Sequence, residues 1–197
     1  MKRRIAFFDF DGTITTKDSL LEFIKFYKGS FSFYLGFLLY SPFLLAYKLR
    51  IIPNYTAKQK VLRFFFKGEI LADFQKQCND FSEKVLPAMV RPKALLEMER
   101  LQKANATVVI VSASAENWIY AWASKMQVEL LGTRLATADG KITGKIDGLN
   151  CYGDEKVCRI KARYDLSAYD EIYCYGDSEG DKEMLAIGMF RFYKPFR

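Results

Sequence analysis

Asp9 and Asp11 are two carboxylates separated by one residue, in the stretch Asp9-Phe10-Asp11-Gly12-Thr13. They follow an apolar run at 5–8 (IAFF), the pattern of a strand buried on both faces of a parallel sheet. Alternation along a strand end is expected to point both acids to one side, and Gly12 lets the chain turn sharply after them. Like charges delivered by a buried strand need a counter-charge, which a metal ion supplies most economically. Two further apolar runs end in the same way. Residues 107–111 (TVVIV) lead to Ser112-Ala113-Ser114, where the Ser112 hydroxyl and the backbone N–H groups of a helix starting at 115 are expected to form an anion site. Residues 171–175 (EIYCY) lead to Gly176-Asp177-Ser178-Glu179-Gly180-Asp181. Lys156, just after Gly153, precedes this last acidic stretch.

The elements that must position these groups alternate between strand and helix, an order that brings the three strand ends to one rim of a parallel sheet. Helical patterns cover 18–28 (capped by Asp18 or Ser19), 54–66, 69–90, 93–103 with Pro92 in its first turn, 115–125 and about 153–164; a last one carries Leu185 and Ile187. A short strand is expected at 128–131, a hairpin turn at Asp139-Gly140, and a final strand at 189–193. Between the first and second buried strands, 18–90 has no strand pattern of its own and reads as a helical insertion.

Within that insertion, 29–47 (GSFSFYLGFLLYSPFLLAY) runs for 19 residues without a charge, with Pro42 placed to kink a single helix and Lys48 and Arg50 closing the run. Such a stretch is either the core of a helical subdomain or an interfacial segment whose basic flanks meet anionic headgroups.

Composition narrows the function classes. Half of the residues are hydrophobic and 16% aromatic, which excludes a disordered chain. The net charge of +7 favours anionic partners, but no basic block or nucleic-acid-binding motif is present, so nucleic acid is not an expected partner. The chain has no histidine, which rules out a histidine general base, and its four cysteines lack paired spacing, which argues against a thiolate zinc site. Free cysteines and a start, MKRRIAFFDFDG, too short in apolar residues for a signal peptide indicate a cytoplasmic protein, with peripheral contact at the inner membrane face through 29–50 as an option.

DFDGT at 9–13, VSAS at 111–114, Lys156 and GDSEGD at 176–181 resemble, in order, the four motifs of the haloacid dehalogenase superfamily, and most of all its phosphatase subfamily IB, the phosphoserine-phosphatase-like group. The resemblance implies a Rossmann-like three-layer α/β core with a parallel sheet, formed by 1–17 and 91–197, and an inserted helical cap of type C1 at 18–90. It implies a phosphomonoester hydrolase in which Asp9 is the nucleophile and Asp11 the acid and base. Mg²⁺ would sit on Asp9, the Asp11 carbonyl and Asp177, with Asp181 in support. Gly12, Ser112, Ala113 and Lys156 would hold the phosphoryl oxygens. Gly180 departs from the group, which places an asparagine there, and Asp18 stands where these enzymes have a substrate-contacting glutamate. The long uncharged segment with its proline and basic stop resembles members of the phosphatidylglycerophosphatase C type. This favours an amphiphilic phosphate, such as a phosphatidylglycerophosphate-like lipid, over a small soluble ester of the phosphoserine or phosphoethanolamine kind. A silent phosphate-binding module on this fold would need no second acid at Asp11.

Overall fold

The computed structural model describes residues 2–48 and 54–197, with the backbone alone at 40, 42–48 and 54. Six strands form one sheet, β1 (Arg4–Phe8), β2 (Ala106–Ala115), β3 (Glu129–Ala138), β4 (Lys141–Asp147), β5 (Glu171–Gly176) and β6 (Phe190–Tyr193), in the order β4-β3-β2-β1-β5-β6. All neighbours are parallel except the β3–β4 pair, whose antiparallel hairpin turns at Asp139-Gly140 with both residues at positive φ.

The alternation in β1 explains the layers. Ala6 and Phe8 belong to one hydrophobic cluster, with Val108, Ile110, Met98, Leu101 and Trp118. Ile5 and Phe7 belong to the other, with Val109, Ile160, Ile172 and Met184. Helices α4 (Pro92–Lys103) and α5 (Glu116–Lys125) therefore cover one face, and α6 (Asp154–Arg163) and α7 (Lys182–Ile187) the other. This is the three-layer α/β arrangement.

Between β1 and α4 the chain is helical: α1 (Ser19–Lys48), α2 (Asn54–Phe66) and α3 (Leu71–Lys84), followed by a 3₁₀ turn at Leu86–Met89. The expected helix at 69–90 is thus shorter, because Pro87 lacks the N–H that would continue it. The chain leaves and re-enters the sheet domain side by side, with Thr15 bridged to Val90 and Arg91 N–H donating to the Ile14 carbonyl at 2.8 Å. The α2–α3 connection is tied to the hairpin, where Leu71 N–H donates to the Gly140 carbonyl (2.9 Å) and Ile142 N–H to that of Glu69 (2.9 Å).

The uncharged segment lies in α1, and its helical backbone is interrupted at Gly29 (φ 80°, ψ 158°) while Pro42 is accommodated within helix. Its two faces have different fates. Phe33 (8% exposed) packs inward on Phe37, which packs against Phe65, whereas Phe31 (81%), Tyr34, Leu35, Leu38 (70%) and Leu39 form an outward stripe at spacings of three and one. Core helix and exposed apolar surface are both present, on opposite sides of one element. The basic residue Arg50 and the side chain of Lys48 lie outside the described residues.

Candidate active site

Asp9 is the first residue beyond β1, and its N–H still extends the ladder to the Tyr175 carbonyl at 2.9 Å. A π-type turn, Phe10–Ile14, follows, closed by Thr15 N–H on the Phe10 carbonyl at 3.0 Å. Gly12 in this turn has φ 85°, and a Cβ there would come within 2.5 Å of an Asp177 carboxylate oxygen, so both conformation and space demand glycine. Asp11 lies in the turn rather than on the strand. The turn, not strand alternation, brings it to the same cavity as Asp9.

Lys156, from the first turns of α6, is buried and donates to Asp9 Oδ1 and Asp181 Oδ1, each at 2.6 Å. Asp181 Oδ2 accepts from the N–H groups of Asp177 (3.1 Å) and Ser178 (2.9 Å) and from the Ser178 hydroxyl (2.8 Å), a capping box that orders the 176–181 loop. Asp177 meets the Arg197 guanidinium, and Thr13 Oγ1 bridges from Asp9 Oδ2 (3.1 Å) toward Asp177 Oδ1 (3.5 Å).

Burial pushes the Asp9 carboxyl up to about 7 despite Lys156, with the Asp181 charge adding to the rise. Burial alone would lower the Lys156 ammonium, but Asp9 and Asp181 outweigh it and raise its pKa. Asp181 is likewise opposed by burial yet held below its ordinary value by Lys156 and Ser178. Oxygens of Asp9, Asp177 and Asp181 all lie within 4.8 Å of one another. Three carboxylates faced by two cations leave excess negative charge in a desolvated place, and the donors are all hard oxygens. The residues present therefore fit a divalent cation such as Mg²⁺.

Asp11 is clamped separately. Its Oδ1 accepts from Ser19 N–H at 2.7 Å, at the start of α1, and its Oδ2 from the Ser114 hydroxyl. Burial, then the Asp18 charge, raise it to about 6. Asp18 caps α1 through Leu21 N–H (3.0 Å) and also lines the cavity, a second role for an exposed helix cap. Ser112 is buried and its Oγ accepts from Ser114 N–H at 3.0 Å. The expected helix start at 115 is displaced. Strand β2 continues to Ala115, with its register to β3 shifting between Val111 and Ala115, so Ser112-Ala113-Ser114 occupies an irregular strand end and α5 opens at Glu116.

Asp9, Asp11, Asp18, Ser112, Ala113 and Lys156 converge on one cavity of about 290 Å³, with Asp181 in its wall; Gly12 and Asp177 stand behind. The opposite wall is apolar and helical, made by Leu20, Leu21 and Phe37 of α1 and Ala57 and Val61 of α2.

Several site residues escaped sequence reasoning. Lys58 reaches in from α2 and donates to the Ala113 carbonyl and to Asn150 Oδ1 (3.1 Å), with burial lowering its pKa to about 8. Tyr152 explains the departure at Gly180, since a Cβ there would stand 2.2 Å from its ring. The tyrosine fills the volume that an asparagine would need. Nothing local in the sequence marks Lys58 or Asn150, and Tyr152 is marked only as part of the stretch 151–157 that resembles the third motif; Thr13, inside the first motif, could have been singled out as a hydroxyl next to two acids.

The sheet order, the strand-end acids and the buried lysine define a hydrolase of the α/β class built around a carboxylate at the end of its central strand. The chain belongs to the haloacid dehalogenase-like hydrolase family, whose model matches residues 6–186. It is 37% identical over 199 aligned residues to protein CicA of Caulobacter vibrioides, covering 96% of this chain and 85% of that one. It is 27% identical to a probable phosphatase of Mycobacterium tuberculosis, covering 99% and 70%. Among solved structures, a protein of unknown function from Bordetella pertussis superposes with TM-score 0.83 at 20% identity (95% and 88% covered). A phospho-aspartyl intermediate analogue of phosphoserine phosphatase superposes with TM-score 0.65 at 17% identity (98% and 87% covered). These last two likenesses concern the fold.

Proposed function

We propose that the protein is a Mg²⁺-dependent phosphomonoesterase acting through an aspartyl-phosphate at Asp9, on an amphiphilic phosphate delivered at a membrane surface. That it is a phosphatase of the haloacid dehalogenase-like family follows from the matched family and its phosphatase-named relative. The finer reading rests on one observation: the cavity has a charged floor containing Asp9, Asp11 and Lys156 and an apolar wall from α1 and α2.

In this reading an Asp9 oxygen attacks phosphorus, the bond to the leaving oxygen breaks, and that oxygen takes the Asp11 proton. Water then loses a proton to Asp11 and attacks phosphorus, freeing phosphate and restoring Asp9. Ser112, the Gly12 and Ala113 amides and Lys156 hold the remaining phosphoryl oxygens. Bound Mg²⁺, held by Asp9, the Asp11 carbonyl and Asp177 with Asp181 in support, would neutralise phosphoryl charge. Residues 18–90 serve as the cap over this floor, and the outward stripe of α1 seats it on lipid.

Among the described residues no helix is long and apolar enough to cross a membrane, and the proposed contact of α1 with lipid is interfacial. The reading is tested by assaying phosphate release from p-nitrophenyl phosphate, phosphoserine, lysophosphatidate and phosphatidylglycerophosphate, with Mg²⁺ and after chelation. Turnover fastest on the two lipids presented in vesicles, and lost without metal, is expected. Preference for phosphoserine would transfer the assignment to small soluble esters, and no turnover of any ester would overturn it.

A further inference from the structure

Lys58 sits in the cavity wall without a carboxylate in salt-bridge distance among the described residues; its ammonium is instead given to a backbone carbonyl, Ala113, and a carboxamide, Asn150. A half-buried lysine that gives its ammonium to neutral acceptors, with the Asp11 and Asp18 carboxylates near but beyond salt-bridge distance, is unusual, since lysines are mostly solvated and desolvating an ammonium is costly. The return on that cost lies in what the two acceptors hold.

The Ala113 carbonyl and the Ser114 N–H are the two ends of one peptide unit. Lys58 grips the carbonyl end, and the N–H end donates to Ser112 Oγ at 3.0 Å. With that unit held at both ends, the Ser114 side chain has a set origin. Its hydroxyl donates to Asp11 Oδ2 and accepts from the Ser19 hydroxyl (3.0 Å), which itself accepts from the Trp118 indole N–H (3.1 Å). Each hydroxyl in this relay donates once and accepts once, so the relay has one direction, and it ends on Asp11. Asn150 is anchored in turn by the Thr133 hydroxyl (3.0 Å) on β3.

We propose that Lys58 is a positioning residue for the acid–base step, acting from α2 through the Ala113–Ser114 peptide and the Ser114 hydroxyl to aim Asp11. The inference rests on the phosphatase reading, in which Asp11 protonates the leaving oxygen. It ties Asp11 to the helical segment at two points, through Ser19 at the start of α1 and through Lys58 on α2, so the acid is aimed only while α2 is docked.

The test is single-turnover (burst-phase) kinetics of the wild type, Lys58→Met, Lys58→Arg and Asp11→Asn, and of Lys58→Met in the Asp11→Asn background. Each is measured on p-nitrophenyl phosphate and on an alkyl phosphate of poor leaving group. A residue acting through the acid affects the poor leaving group most, because a good one needs little protonation. Lys58→Met is expected to slow the alkyl ester on the order of 10–100-fold with a much smaller effect on the aryl ester. It should leave KM for both within about twofold, recover in part in Lys58→Arg, and have no further effect once Asp11 is Asn. Ser114→Ala breaks the next link and must reproduce the same leaving-group dependence, which keeps the test open if Lys58→Met does not fold. Equal slowing of both esters, additivity with Asp11→Asn, or a raised KM with unchanged burst rate, the signature of direct substrate contact, would each overturn the inference. A wild-type protein that turns over neither ester would instead sink the phosphatase reading itself.

Discussion

At the scale of single residues, the site separates two acids of the same type by their partners. Asp9 shares a buried ammonium with Asp181, whereas Asp11 accepts from the Ser19 backbone amide and the Ser114 hydroxyl. Asp9→Asn preserves the shape and the hydrogen bond from Lys156 but removes the nucleophile. Phosphate release is expected to fall to background, with a melting temperature within a few degrees of wild type; a tenth of the activity surviving would remove Asp9 from the role. Gly180 carries a second prediction. Asparagine there must push the Tyr152 ring from the cavity wall, at a cost of about 1–3 kcal/mol for overpacking. Thermal denaturation should show the loss, and adding Tyr152→Ala should recover most of it. An unaltered Gly180→Asn melting curve would mean that the ring yields freely.

At the scale of elements, α1 makes one helix serve two environments. Replacing the outward Phe31, Leu38 and Leu39 by serine removes no packed side chain, so stability should hold within about 1 kcal/mol while binding to anionic vesicles in a flotation assay is lost. Phe33→Ala on the inward face should instead cost about 3–5 kcal/mol, because its ring packs on Phe37 inside the core. Vesicle binding unchanged by the triple substitution would leave the stripe without a membrane role. The β1–β5 pairing carries a pH prediction. Hydrogen bonds to Glu171 from Lys2 (2.7 Å), Arg4 (2.7 Å) and Tyr173 (2.9 Å) hold its carboxyl down to about 2 from an ordinary 4.5. A carboxyl more acidic in the folded state stabilises it above the unfolded value, and the contribution is lost as pH falls from about 4.5 to about 2. The melting-temperature gap between wild type and Glu171→Gln should therefore be constant at neutral pH and close across that window. A gap that persists at pH 2 would assign the effect to packing instead.

For the whole molecule, the acidic cluster couples metal to stability. A ligand that binds only the folded state at a hundredfold excess over its Kd adds about 2.7 kcal/mol, so saturating Mg²⁺ should raise the melting temperature by roughly 5–10 °C. Arg197 must give way from Asp177 for this to happen, and Asp177→Asn should abolish the rise. Ca²⁺, with its looser shell, should stabilise but not support turnover. A melting curve indifferent to Mg²⁺ and to chelation would refute the cation site.

The amino-acid sequence alone determined the parallel sheet and the acids on its rim, because a strand buried on both faces must be an unbroken apolar run and its abrupt polar end is visible within a few residues. Alternating strands and helices, which allow few topologies, also sufficed to bring Asp9, Ser112 and Asp181 to one rim, whereas Lys156, on a helix, was marked only by the resemblance of its motif. Tertiary structure alone decided the rest. Residues 29–47 of α1 carry no charge on any side, so their pattern gives no direction, and only packing against α2 separated the buried Phe33 from the exposed Phe31. The partners of Asp11 lie 8 and 103 residues away along the chain, and Lys58 lies 55 from the carbonyl it holds. Those contacts arise from how the helical segment settles on the strand ends, a matter of packed shape that no local periodicity records.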